Sequence, residues 1–428
     1  MFDPRPRTTL QCASRLVSVL LAVLVLPLFP NDLRAAQRRS ILPETEPADA
    51  AVPASPLAAR LAPLLKSPAL NPDETGLVLM TLPAGRTVFA RNPDRLLRPA
   101  STLKIITSAA ALALLKPEYV FETRLLADAP IDPSGAIAGN LYLQGSGDPA
   151  LVGESFWLMA RRLAAMGLRR VEGELVADDS YFDGVRRPPG WRSADVDSWF
   201  NAPVSALSCN FNVVTVRVDP SPFLGTRPDV TLEPIASYFQ VLNRATTTTG
   251  PTTLSVTRLY QDERNTLVIG GTIRRGGPPI VANRAVEEPA LYALHAFQEI
   301  ARSEGISILG ELVSGTTPDT ARELHRHDSK PLSVLVHDMN KNSNNFMAEA
   351  LVKTLGAQFV GMPGTTANGI EVMRTYLAGI GVNPEEAQLY DGSGLSDQDR
   401  VTARLLTQLL VRLIIRTGIC GTKNGALG

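Results

Sequence analysis

The chain has 428 residues, 44% hydrophobic and 20% charged, and its 42 lysines and arginines are matched by 42 aspartates and glutamates. That length and composition suit a folded chain of two or three domains, while a zero formal net charge argues against a general nucleic-acid binder, which needs a basic surface. No window carries a Walker loop, a GxGxxG after a strand, or a Cys/His metal cluster, so neither a cofactor nor a metal is expected.

At the start, Arg5, Arg7 and Arg15 accompany a short apolar run at 16–29, and small residues follow at Ala35-Ala36. This reads as an export signal over residues 1–36, and so as a periplasmic protein. The run is too short to span a bilayer comfortably; left uncut, it would hold the chain peripherally at the membrane. Residues 37–55, rich in Pro, Ala and acidic side chains, read as a linker. Cys12 falls within the signal, and Cys209 and Cys420 alone make no disulfide framework.

A helix is expected over about 56–65, and a hairpin over 75–90 around Pro83-Ala84-Gly85. The stretch at 99–115, PASTLKIITSAAALALL, then organises the chain. Pro99 is a helix-start residue, and Leu103, Ile106, Ala110 and Leu114 recur at helical spacing with alanines between them, so a buried central helix is expected. Ser101 and Lys104 are three apart, hence neighbours on one face. A serine hydroxyl needs a base, and a lysine serves as one only when desolvation or nearby cations lower its pKa. The plainer alternative for the pair alone is an N-cap serine and a lysine reaching to solvent. Histidine is scarce: His325-x-His327 lies in a charged run that reads as a solvated loop, and no histidine suggests a Ser/His/Asp triad.

Short strands and turns dominate from 125 to 284, with one helix at about 154–166, which reads as a mainly β or mixed insertion. Helical character returns at 288–305. A polar knot, 337–345, precedes a helix expected from Phe346 to Leu355; plain capping would explain it, yet Ser343-x-Asn345 offers a hydroxyl to relay a proton and an amide to bind a carbonyl. Lys353 reads as structural, paired with Glu349 at i, i+4 near the helix end. A glycine turn, Asp391-Gly392-Ser393-Gly394-Leu395-Ser396, and a last helix at about 403–415 follow.

Taken jointly, Ser101-x-x-Lys104, Ser343-x-Asn345 and the DGSGLS turn, with the stretches RPASTLKIITSAAAL, GSGDP, NAPVSALS and KNSNNFMAEALVKTLG, resemble the D-alanyl-D-alanine carboxypeptidase/endopeptidases, the class C low-molecular-mass penicillin-binding proteins. The resemblance covers about 56–415. It implies an α/β (α+β) fold, a serine transpeptidase/β-lactamase-like domain in two segments, 56–124 and 285–428, carrying mainly β inserted material at 125–284. It also implies an acyl-enzyme on Ser101, with Lys104 as general base, Ser343 passing the proton to the leaving amine, and Asn345 binding substrate and Lys104. Peptidoglycan peptides would be the substrate and β-lactams the inhibitors. The family's third motif, Lys-Thr-Gly, is missing: Arg416-Thr417-Gly418 follows the turn too closely, and Thr422-Lys423-Asn424-Gly425 does not match. The expectation is therefore a truncated C-terminus and weakened activity. Two other readings stay open, a non-catalytic peptidoglycan-binding or scaffold protein and a Ser/Lys esterase.

Overall fold

The computed structural model describes residues 56–416 apart from 68, 69, 72, 83, 235 and 236. The expected signal and linker, Cys420 and the tail beyond 416 lie outside the described residues. Among the described residues the helices are α1 (Pro56–Leu64), α2 (Lys104–Leu114), α3 (Gly153–Ala165), α4 (Pro289–Ser303), α5 (Leu332–Asn342), α6 (Asn345–Phe359), α7 (Thr366–Gly379) and α8 (Ala403–Arg416). None of them is long and apolar enough to cross a membrane. The chain divides into two compact units, one formed by the segments before residue 98 and after 401, the other by 98–401.

In the smaller unit, strands Leu77–Met80 and Thr87–Arg91 pair antiparallel, as the hairpin signal predicts, with α8 packed on the first and α1 on the second. Arg404 grips Asp94, with Nη2 on Oδ2 at 2.9 Å, and its backbone N–H meets the Pro93 carbonyl at 3.0 Å.

The larger unit holds a five-stranded mixed sheet, in the order Leu312–Ser314, Leu175–Asp178, Leu141–Gly145, Glu122–Ala127, Arg322–Asp328. The first three strands run parallel and the last two pairings are antiparallel. Thr123, Leu125 and Ala127 point inward while their neighbours are only half-buried, the period-two pattern of a strand. Helix α4 buries Ala290, Ala293, Leu294, Phe297 and Ala301, one face at helical spacing, and Phe297 meets Phe156 of α3 edge-to-face at 5.7 Å. The sheet thus joins strands from both sides of the expected borders at 124/125 and 284/285. Two of the three-stranded sheets are Ile280–Ala285, Val213–Asp219 and Asp229–Glu233; and Phe239–Asn243, Arg264–Gly270 and Ser255–Gln261.

Two local expectations change. His325 and His327 stand not in a loop but in the edge strand Arg322–Asp328; an edge strand with charged side chains lacks the apolar pattern that marks strands in a sequence. The polar run at 337–345 is largely helix, because Leu332, Leu335, Val336 and Met339 lie buried at i, i+3, i+4, i+7 and carry α5 through it to Asn342.

Candidate active site

Ser101 lies in a one-turn 3-10 segment, Ala100–Leu103, that runs directly into α2. The residue before it, Ala100, is held left-handed at φ 46°, a conformation that costs an alanine about 1–2 kcal/mol. What over-determines it is the turn at 390–396: a Cβ on Gly394 would come within 1.8 Å of the Ala100 carbonyl oxygen, and Gly394 itself sits at φ 80°, so only glycine fits. The hydroxyl of Thr107 donates to the Gly392 carbonyl at 2.7 Å and ties α2 to the same turn.

Lys104 is 2% exposed. Its Nζ meets Ser101 Oγ at 3.2 Å, Asn345 Oδ1 at 2.7 Å and the Ser393 carbonyl oxygen at 2.8 Å. Burial pulls the ammonium down to about 8, against the opposing pull of the Glu349 and Asp391 carboxyls. The three partners are not equivalent. Two are oxygens of C=O groups that can only accept, whereas Ser101 Oγ can also donate. A neutral Lys104 amine keeps two N–H donors for the two carbonyl-type oxygens, which leaves its lone pair facing the serine. With a midpoint at about 8, roughly a tenth of the amine is free at pH 7, about 300-fold more than at the ordinary value of 10.5.

Ser343 caps α5 in the left-handed conformation (φ 53°), and this reversal aims its Oγ at Ser101 Oγ, 2.7 Å away. Asn344 then starts α6, its side chain accepting from Met347 N at 3.0 Å. One residue later, Asn345 Nδ2 donates to the Phe200 carbonyl at 2.9 Å, which turns Oδ1 toward Lys104. Ser101, Lys104, Ser343 and Asn345, expected to act together, are therefore gathered at one point.

The partners of this group include several that the sequence did not reveal. Phe200 belongs to a long loop after the strand Leu175–Asp178. Arg187 Nε holds the adjacent Asn201 carbonyl at 3.0 Å, while its guanidinium and that of Arg258 share Glu287, at 2.7 and 2.9 Å. Trp191 Nε1 of the same loop donates to Asp391 Oδ2 at 2.9 Å. Asp391 also accepts from the backbone N–H groups of Ser393, Gly394 and Ser396, at 3.0, 2.6 and 2.7 Å, so it is the knot that ties the DGSGLS turn. Glu349 is fully buried, and both its oxygens face Gly392 N, at 3.0 and 3.1 Å. Lys353 is buried in mid-helix and its ammonium goes to Asp183 and, at 2.7 Å, to the Val185 carbonyl, not chiefly to Glu349 as expected. A signal for these was present: Asn345, Glu349 and Lys353 recur every fourth residue on a helix that is apolar at most other positions. Among the described residues no three His, Cys, Asp or Glu side chains gather as a metal site would require.

The D-Ala-D-Ala carboxypeptidase 3 (S13) family matches residues 57–415. A D-alanyl-D-alanine carboxypeptidase of Actinomadura sp. is 34% identical over 355 residues, 81% of this chain and 66% of that protein. The D-alanyl-D-alanine carboxypeptidase DacB of Haemophilus influenzae is 26% identical, over 79% of this chain and 70% of its own length. The crystal structure of penicillin binding protein 4 from H. influenzae is similar at TM-score 0.70 and 25% identity, covering 80% of this chain and 76% of that one. The chain spans about two thirds of the length of the Actinomadura relative.

Proposed function

The chain belongs to the D-Ala-D-Ala carboxypeptidase 3 (S13) family, and from that premise we propose that it is a serine-type carboxypeptidase or endopeptidase that cleaves D-alanyl peptide bonds of peptidoglycan through an acyl-enzyme on Ser101. Its fold is the mixed serine transpeptidase-like fold with inserted domains. The observation that carries the reading is the contact set of Lys104 Nζ, with two acceptor-only oxygens and one hydroxyl, Ser101.

In this reading Ser101 gives its proton to Lys104 Nζ as its Oγ bonds to the D-alanine carbonyl carbon. The C–N bond to the leaving residue then breaks, and Ser343, 2.7 Å from Ser101, passes a proton to the departing amine. Water hydrolyses the ester by the reverse relay, releasing a carboxylate and restoring Ser101. The Ser101 backbone N–H supplies one donor to the oxyanion. Asn345 holds Lys104 and binds the substrate amide. β-Lactams acylate the same serine, and an export signal at 1–36 places the enzyme in the periplasm.

The test is labelling of the purified chain with a fluorescent penicillin, alongside Ser101→Ala. One label per chain, absent from the variant, is expected. A folded wild-type chain that takes no label overturns the reading in favour of a binding or scaffold role, and ester turnover without labelling points to a Ser/Lys esterase.

A further inference from the structure

A cleft of about 670 Å³ opens beside the site, within the larger unit. Its size falls in the range of roughly 300–1,000 Å³ common to ligand sites. Asn345 belongs to both places: it lines the cleft, and its Oδ1 holds Lys104 Nζ at 2.7 Å. Two edge-to-face aromatic pairs wall the cleft, Trp199 with Phe200 at 5.9 Å and Phe211 with Phe346 at 6.4 Å. Phe211 is held left-handed (φ 59°) between Asn210 and Asn212, which are left-handed too. That conformation costs a residue like phenylalanine about 1–2 kcal/mol and persists only where its surroundings fix it. Here they do, since Asn210 Oδ1 accepts from Gly153 N at 3.0 Å and Asn212 Nδ2 donates to the Pro203 carbonyl at 2.8 Å.

The polar lining is of two kinds. Asn210, Asn283 and Asn344 have their oxygens taken, by Gly153 N, Thr215 Oγ1 and Met347 N, each at 3.0 Å. A backbone N–H only donates, so the amides of Asn210 and Asn344 are fixed with oxygen inward to the protein. In all three residues the Nδ2 donors find no partner among the described residues. Glu154 and Glu233 supply acceptors, likewise unpaired among the described residues, and no described lysine or arginine lines the cleft. An ammonium would face the amide N–H groups, and an anion the two glutamates. A neutral ligand rich in hydroxyls, each of which donates and accepts, answers both sets. The apolar faces of pyranose rings also cover aromatic side chains and remove both from water. A bare peptide of peptidoglycan carries free carboxylates, which Glu154 and Glu233 repel. We propose that this cleft is a subsite for the sugar portion of the substrate, a neutral N-acetylated hexose unit joined to the cleaved peptide; this rests on the acyl-transfer reading, which brings that peptide to Ser101.

The experiment is calorimetric titration of the full chain with N,N′-diacetylchitobiose, a neutral sugar without peptide, in wild type, Asn283→Asp and Trp199→Ala. Asn283→Asp keeps the oxygen that Thr215 reaches and replaces the free donor with an acceptor; Trp199 is 51% exposed, so its truncation removes a wall without opening the core. Saturable binding at one site is expected in the wild type, weakened about tenfold or more in each variant. No binding, or equal binding in all three, overturns the proposal, as does binding of the bare peptide in place of the sugar. A second measurement needs no variant: wild-type kcat/KM for a peptide bearing its disaccharide is expected to exceed that of the bare peptide about tenfold, through KM, and equal values overturn the proposal. Sugar binding without turnover of either peptide and without penicillin labelling supports the cleft while overturning the acyl-transfer reading. Penicillin labelling without sugar binding does the reverse.

Discussion

Asn345→Asp offers a sharp test of the lysine base, because it changes one atom group at nearly constant shape. Asn345 Oδ1 is 2.7 Å from Lys104 Nζ, so the variant sets a carboxylate oxygen against an amine that is 2% exposed. An opposite charge at such range raises an amine by about 1–3 units, from the starting value of about 8. At pH 7 the free-amine fraction then falls about 10- to 1,000-fold, and acylation by penicillin falls with it. The second carboxylate oxygen would face the Phe200 carbonyl, 2.9 Å away in the wild type, an unpaired contact worth about 1–3 kcal/mol of stability. The assay is stopped-flow acylation from pH 6 to 10 at a temperature where both proteins are folded. The acid limb should move upward, so that the deficit shrinks as the pH rises. A deficit of equal size at every pH would refute the reasoning, since it would mean lost geometry rather than a protonated base.

Other perturbations probe the frame around this site. Asp399 is pushed up to about 8 by burial and by the adjacent Asp391; its folded value lies above the unfolded 3.8, so the stability it contributes is present below about 4 and lost as pH rises through 8. Thermal melting from pH 4 to 9 should show that decline, and Asp399→Asn should flatten it. Gly394→Ala should lower stability by about 1–3 kcal/mol in urea unfolding and slow the proposed acylation, because the new Cβ meets the Ala100 carbonyl beside Ser101. Glu287→Leu leaves Arg187 and the buried Arg258 without their shared carboxylate and should cost about 3–5 kcal/mol by denaturant titration, whereas a loss below 1 kcal/mol would show that solvent already screens the triad.

The sequence alone determined what lies within a few residues of itself. Helical pitch sets Ser101 beside Lys104, and a one-residue spacer sets Ser343 beside Asn345, so both pairs were legible from spacing, as were the hairpin at 77–91, α3, α4 and α8. Spacing could not say that Asn345 would meet Lys104 across 241 positions, that the Ser393 backbone would be the third partner, or that a loop near residue 200 would orient the Asn345 amide. Those contacts depend on how α2, α6 and the DGSGLS turn pack, and backbone carbonyls carry no residue signature. The helical nature of 337–342 was hidden because polar side chains mask a buried face that only its packing against neighbouring helices reveals. Lys353 reads as structural and is so, but its main partner was hidden for a related reason: an i, i+4 glutamate is visible in the sequence, whereas the ion partner that burial demanded, Asp183, arrives from 170 positions away. Local spacing thus named the candidate groups of the proposed acyl transfer, while tertiary packing decided their burial, orientation and partners.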